Sequence, residues 1–176
     1  MENYYNNDNK YYTQPGRIQY VATLPQEVGA DSGGDPHNMV WGNALAAIEV
    51  QNIVELIESA PGSGEGVDLR VLKNALYFFN ITLQLQAPNA DQNIDLDFLA
   101  KIIIDRTIVG IPTPITLSES GSRIPNKGDD PGRSITTVTL TGLMYMYIGE
   151  MVRVSLQDFT NIGINILGSS FFINCI

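Results

Sequence analysis

The segment LYFFNITLQL, Leu76 to Leu85, alternates with a period of two: Tyr77, Phe79, Ile81, Leu83 and Leu85 fall on one side of an extended chain. Leu76 and Phe78 begin a second apolar side. The same two-sided pattern recurs in GLMYMYIGEMVRV and in SSFFINCI. A sheet in a free-standing sandwich shows water one polar face, so strands apolar on both faces require additional cover. Another copy of the same chain is the simplest cover, with the N-terminal segment or a loop as the alternative.

From Arg17 onward, short runs rich in Ile, Val, Leu and aromatics are separated by Gly, Pro, Asn, Asp and Ser, which predicts an all-β, two-sheet antiparallel sandwich. The predicted strands are Arg17–Leu24, Ile53–Ile57, Leu69–Leu72, Ala75–Gln86, Ala100–Val109, Ile135–Tyr147, Met151–Leu156, Asn161–Leu167 and Ser169–Ile176. The breakers are DSGGDPHN, APGSGEG, APNADQN and the long SESGSRIPNKGDDPGR. Asn43–Ile57 and Asp95–Ile104 have spacings that also fit helices, and for Asn43–Val50 a short helix and a strand stand equal. Residues 1–16, rich in Tyr and Asn and poor in aliphatics, form an expected extended N-terminal arm. Residues 17–176 form the expected single domain.

Composition narrows the function. Ten Lys and Arg against 19 Asp and Glu leave a net charge of −9, and no basic cluster interleaves with aromatics, so nucleic acid is not an expected partner. A charged fraction of 16% is low and suits burial against neighbours. The start of the chain has no apolar run of a secretory leader, and no stretch reaches the roughly 18–20 apolar residues of a membrane helix. The expectation is a soluble chain that inserts in no membrane.

Candidate chemistry is sparse. His37 is the only histidine and Cys175 the only cysteine, so a Cys-His pair would have to join those two, and zinc would lack ligands. Cys175 reads instead as a small buried thiol in the last strand. Asp91, Asp95 and Asp97, and Asp129 with Asp130, could hold a hard cation, but neither has the spacing of a calcium loop and both read as solvated loop acids. The run Pro61-Gly62-Ser63-Gly64-Glu65-Gly66 lacks the Lys-Ser or Lys-Thr of a phosphate loop and reads as a hairpin turn. Asn80-Ile81-Thr82 is formally a glycosylation acceptor inside a predicted central strand. No enzyme activity, cofactor or metal is expected.

Three segments resemble the tumour necrosis factor-like superfamily, which includes complement globular heads and jelly-roll heads of bacterial spore-surface proteins. They are EGVDLRVLKNALYFFNITLQLQ, with Ala75 where the family's Leu-Tyr pair usually follows Gly; SITTVTLTGLMYMYIGEMVRVSL, with Gly149-Glu150 in place of Gly-Asp; and ILGSSFFINCI. The resemblance implies a jelly roll that assembles as a homotrimer with one sheet facing the three-fold axis. Carried onto matching positions, it places Phe78, Asn80, Leu143, Tyr145, Phe172, Asn174 and Ile176 at the oligomer interface. Tyr77, Phe79, Met144, Met146, Phe171 and Ile173 would then fill the core.

The functional expectation from these readings is a structural building block of a large particle, a virion capsid or surface component. Its arm would reach neighbouring structural proteins. A spore-surface protein of the same architecture is one alternative. A trimeric receptor- or ligand-binding head, marked by a patch at loops such as Ser118–Arg133, is the other.

Overall fold

Twelve strands and no helix occur among the residues that the computed structural model describes, which are 17–21, 26–28, 36–42, 53–88, 95–108, 110–125, 135–160 and 162–176. They are β1 (Arg17–Tyr20), β2 (Gln26–Val28), β3 (His37–Asn38), β4 (Trp41–Gly42), β5 (Val54–Glu58) and β6 (Glu65–Val71). The longer ones follow as β7 (Ala75–Gln86), β8 (Leu96–Ile108), β9 (Ile111–Ile124), β10 (Ile135–Met146), β11 (Met151–Asp158) and β12 (Ile164–Cys175).

Two antiparallel sheets result. The first runs β1-β12-β7-β10, with β2 also on β12. The second runs β4-β6-β11-β8-β9, with β5 on β6 and β3 on β11. Neighbours distant in sequence, such as β1 with β12 and β6 with β11, mark the crossovers of a jelly roll.

Period-two alternation builds the core. Tyr77, Phe79, Ile81, Leu83 and Leu85 of β7, Phe171 and Ile173 of β12, and Val138, Leu140 and Met146 of β10 are buried from the first sheet. Leu96, Phe98, Ala100, Ile102 and Ile104 of β8 and Val152, Val154 and Leu156 of β11 meet them from the second. Trp41 bridges the layers, its ring 5.3 Å from Phe171, which in turn lies 6.1 Å from Phe79. Each such side chain contributes about 1.5–3 kcal/mol by leaving water.

The expected hairpin turn at Pro61–Gly66 joins β5 to β6. Gly62 and Gly64 take left-handed conformations, and the Glu58 carboxylate accepts hydrogen bonds from both of their N–H groups. Gly66 faces the bulge between Ile57 and Glu58, where a Cβ would fall 2.0 Å from the Ile57 carbonyl oxygen.

Several sequence expectations change. The two strands expected at Asn161–Leu167 and Ser169–Ile176 are replaced by a single one, β12 (Ile164–Cys175), interrupted by a bulge between Ile166 and Gly168. The helical alternative at Asp95–Ile104 gives way to β8, because its Ile-rich, alternating side chains fit a half-buried sheet. Ser118–Arg133 is not a loop throughout: Ser118 to Ile124 belong to β9, a strand that the sequence reading missed. Residues 1–16 and 43–50, hence the arm and the candidate helix, lie outside the described residues.

Candidate assembly face of the first sheet

The side of the first sheet turned away from the core is read directly from its register. Paired residues share a face, so Leu143, Phe78, Asn174 and Arg17 form one row across β10, β7, β12 and β1. Thr141, Asn80, Phe172 and Gln19 form the next, and Thr139, Thr82 and Ser170 the one beyond. At the opposite end Tyr145 pairs with Leu76, whose carbonyl accepts the Ile176 N–H at 2.9 Å. All seven candidate residues therefore lie on one side of one sheet, and their alternates Tyr77, Phe79, Met146, Phe171 and Ile173 are buried on the other. Met144, also expected in the core, is partly buried against it.

This face is graded. At the Ile176 end it is apolar, with Leu143 56%, Tyr145 49% and Ile176 70% exposed. Toward the other end it becomes a field of hydroxyls and amides, from Thr137, Thr139, Thr141, Thr82 and Gln84. Phe172 stands between, half-buried under the Arg17 guanidinium, which lies 5.1 Å from its ring centre.

The β10–β11 turn holds the apolar end in place. Gly149 sits at φ 91°, and its N–H donates to the Val71 carbonyl. Glu150, buried, accepts the Tyr147 N–H at 2.9 Å and takes both Nε and Nη2 of Arg106 from β8. Arg106 Nη2 also donates to the Tyr145 carbonyl at 2.9 Å, and its guanidinium lies 5.4 Å from the Tyr147 ring centre. The Tyr147 ring meets Tyr145 edge-on at 5.3 Å. An acid at position 150 thus ties the turn to the second sheet, and the hydrogen bond from Arg106 makes that guanidinium still harder to deprotonate. Sequence reasoning found Glu150 through the turn motif but not Arg106, 44 residues away, which carries no local signal.

The remaining candidates fall elsewhere. His37 belongs to β3, not to a loop, and pairs with Leu156 in the second sheet; Cys175 pairs with Tyr77 in the first. Asp97 is held by Arg123 through Nε at 2.8 Å, with Asp95 3.9 Å from the same guanidinium. These two carboxylates therefore face an arginine, while Asp91, Asp129 and Asp130 lie outside the described residues. Among the described residues no three His, Cys, Asp or Glu side chains converge as metal ligands.

No protein-family model and no curated protein matches the sequence. Solved structures are similar to it in fold. The crystal structure of murine APRIL at pH 8.5 superposes with a TM-score of 0.61 at 10% identity, covering 93% of this chain and 100% of that one. Murine APRIL at pH 5.0 gives a TM-score of 0.60 with the same identity and coverage. APRIL is a tumour necrosis factor-family jelly-roll protein. With both sheets, their strand order and this superposition in agreement, the chain has a tumour necrosis factor-like jelly-roll fold.

Proposed function

We propose that the protein is a homotrimeric recognition head, in which three copies pack the outward face of the first sheet about a common axis and the assembly binds a receptor or ligand. The observation that carries this reading is the exposed apolar end of that face, from Leu143 and Tyr145 to Ile176, on a sheet whose other side already fills the core. Tumour necrosis factor-family proteins form homotrimers, and the similar structures are ligands of that family. That favours a head over a capsid or spore-surface building block, the readings the sequence put first. Nothing in the superpositions named supports either of those two. A recognition head works by binding and needs no catalytic group.

The test is absolute mass in solution by light scattering. The expected result is three times the 19.3 kDa subunit, falling to one subunit in Leu143→Asp and Phe172→Asp. Burying an uncompensated carboxylate in three symmetry-related copies costs several kcal/mol per subunit. A monomeric parent protein would refute the trimer. Mass that grows into large particles would return the building-block reading.

A further inference from the structure

Beyond the last layer of the core, at one end of the sandwich, stand four large apolar side chains that do not belong to the rows of the first sheet. Ile108 and Ile111, 46% and 66% exposed, pair as the last rung of the β8–β9 ladder. By alternation from the buried Ile102 and Ile104 they lie on the inner side of the second sheet, one strand period past Arg106. From the first sheet, the β10–β11 turn brings Tyr147 and Ile148, 53% and 64% exposed, to the same end. Among the described residues only Phe159 and Leu167 expose a large apolar side chain toward the other end. Exposed apolar side chains concentrated in this way mark a contact site.

Depth and charge indicate what covers them. Ile108 lies about 6–7 Å beyond Arg106 along β8, and the Arg106 guanidinium is 5.4 Å from the Tyr147 ring centre. Behind the isoleucines, Arg106, Thr107, Tyr147, Ile148, Gly149 and Glu150 line an open cleft of about 370 Å³ with polar and apolar walls. Arg106 spends Nε and Nη2 on Glu150 and the Tyr145 carbonyl, and none of these hydrogen bonds uses Nη1, which is left to meet an oxygen from outside. Apolar tips with a belt of tyrosine and arginine behind them follow the order in which a bilayer presents acyl chains and then phosphates. Among the described side chains, each carboxylate at this end is tied to an arginine: Glu55 to Arg70 at 3.1 Å, Asp105 to Arg153 at 2.7 Å and Glu150 to Arg106. Arg17 and Lys73 add positive charge there, whereas Glu58, Glu65, Asp95, Asp97 and Asp158 gather at the far end with Arg123. Phosphates therefore meet the least acidic end of an acidic chain. Projecting hairpin ends also suit a fluid interface, since a protein partner would have to supply a matching hollow.

We propose that this end of the sandwich docks on a phospholipid surface, with Ile108, Ile111 and Ile148 among the upper acyl carbons and Tyr147 and Arg106 at the phosphates. The contact is peripheral and no strand spans the bilayer. It goes beyond the recognition-head reading and does not depend on it, because one subunit carries the whole site.

Flotation of the full chain with phosphatidylcholine vesicles tests this. The parent chain is expected to float at about 1 mM lipid, and Ile108→Ser, Ile111→Ser and Ile148→Ser together to lower its partition coefficient about tenfold. Phe159→Ser with Leu167→Ser, exposed positions toward the other end, should change it by less than about twofold. All five positions are exposed, so the variants are expected to fold, and light scattering on the same samples reports assembly separately. In Ile148→Trp, with the buried Trp41 as a constant background, emission should shift to the blue on adding vesicles and be quenched by lipids brominated near the headgroup. A parent chain that does not float, or floating that both sets of substitutions weaken alike, overturns the proposal. Loss of mass in the isoleucine variant with no change in flotation overturns it in favour of a contact between copies.

Discussion

Gly142 lies where the edges of the two sheets meet, and replacing it with Ala tests how that seam is closed. A Cβ at this position would stand 2.6 Å from both Cγ and Cδ2 of Leu117 on β9, where carbon atoms settle at about 3.5–4.0 Å. Relief requires moving the leucine by about 1 Å. Leu117 is half-buried, so it can swing toward the open edge, and the overpacking cost falls at the lower end of the usual ~1–3 kcal/mol range. Loss of glycine's freedom in the unfolded chain returns about 0.5 kcal/mol, leaving a net destabilisation of about 0.5–1 kcal/mol. In a Leu117→Ala background the added methyl enters vacated space, and Gly142→Ala should become neutral or stabilise by about 0.5 kcal/mol. The double-mutant cycle therefore predicts a coupling of about 1 kcal/mol. Urea unfolding followed by Trp41 fluorescence measures it, since that residue is the only tryptophan and is fully buried. An equal cost of Gly142→Ala in both backgrounds would refute the proposed contact as the reason for glycine.

Other expectations follow from the same geometry. Gly66→Ala meets a backbone carbonyl that cannot swing aside, so it should cost more than about 4 kcal/mol, visible as loss of the folded fraction on expression. Asp158 is fully buried and accepts the N–H groups of Thr160, Ile162 and Gly163 together with the Thr160 hydroxyl; Asp158→Ala strands those donors and should lose about 3 kcal/mol in urea unfolding. Burial, with Glu55 adding to it, pushes the Tyr20 phenol up to about 12, and burial raises Tyr77 as well, with Cys175 adding. Both favour the neutral ring in the fold, so stability is full below pH 10 and falls as pH climbs from 10 through 12, by about 2–3 kcal/mol for Tyr20 alone. Tyr20→Phe should flatten that alkaline decline; an unchanged pH profile would show that Tyr20 ionises as freely as in the unfolded chain.

The long strands were legible because their patterning is local. Ala75–Gln86 is marked by its own alternation, and the same period divides Phe171 and Ile173 from Phe172 and Asn174 before any partner is known. Strand β9 was not legible. Pro112, Pro114, Ser118, Ser120, Gly121 and Ser122 read as punctuation, yet among the described residues β9 pairs with β8 alone, and at such a sheet edge prolines and small polar residues are tolerated and discourage pairing with another chain. The short strands β2, β3 and β4 were missed for a different reason. Two or three residues carry no period, and what makes them strands is the neighbour they reach, as where Trp41 meets Gly66. The candidate site divides likewise: its face follows from alternation, whereas the Arg106 clasp on Glu150 is a long-range contact that no spacing announces.

The position of β12 has a consequence for how the molecule is made. The last strand lies inside the first sheet, between β7 on one side and β1 and β2 on the other, and Arg17 finds its partner only at Asn174. During synthesis β1 and β7 emerge long before the strand that joins them, so the first sheet cannot close until β12 has emerged. Until then the inner side of β7, Tyr77 to Leu85, has nothing along one edge, and a nascent chain in that state invites capture by a chaperone or by the unfinished edge of another copy. A ribosome stalled before Ile164 would therefore be expected to carry a protease-sensitive chain, and one stalled with residue 176 clear of the exit tunnel a protected one.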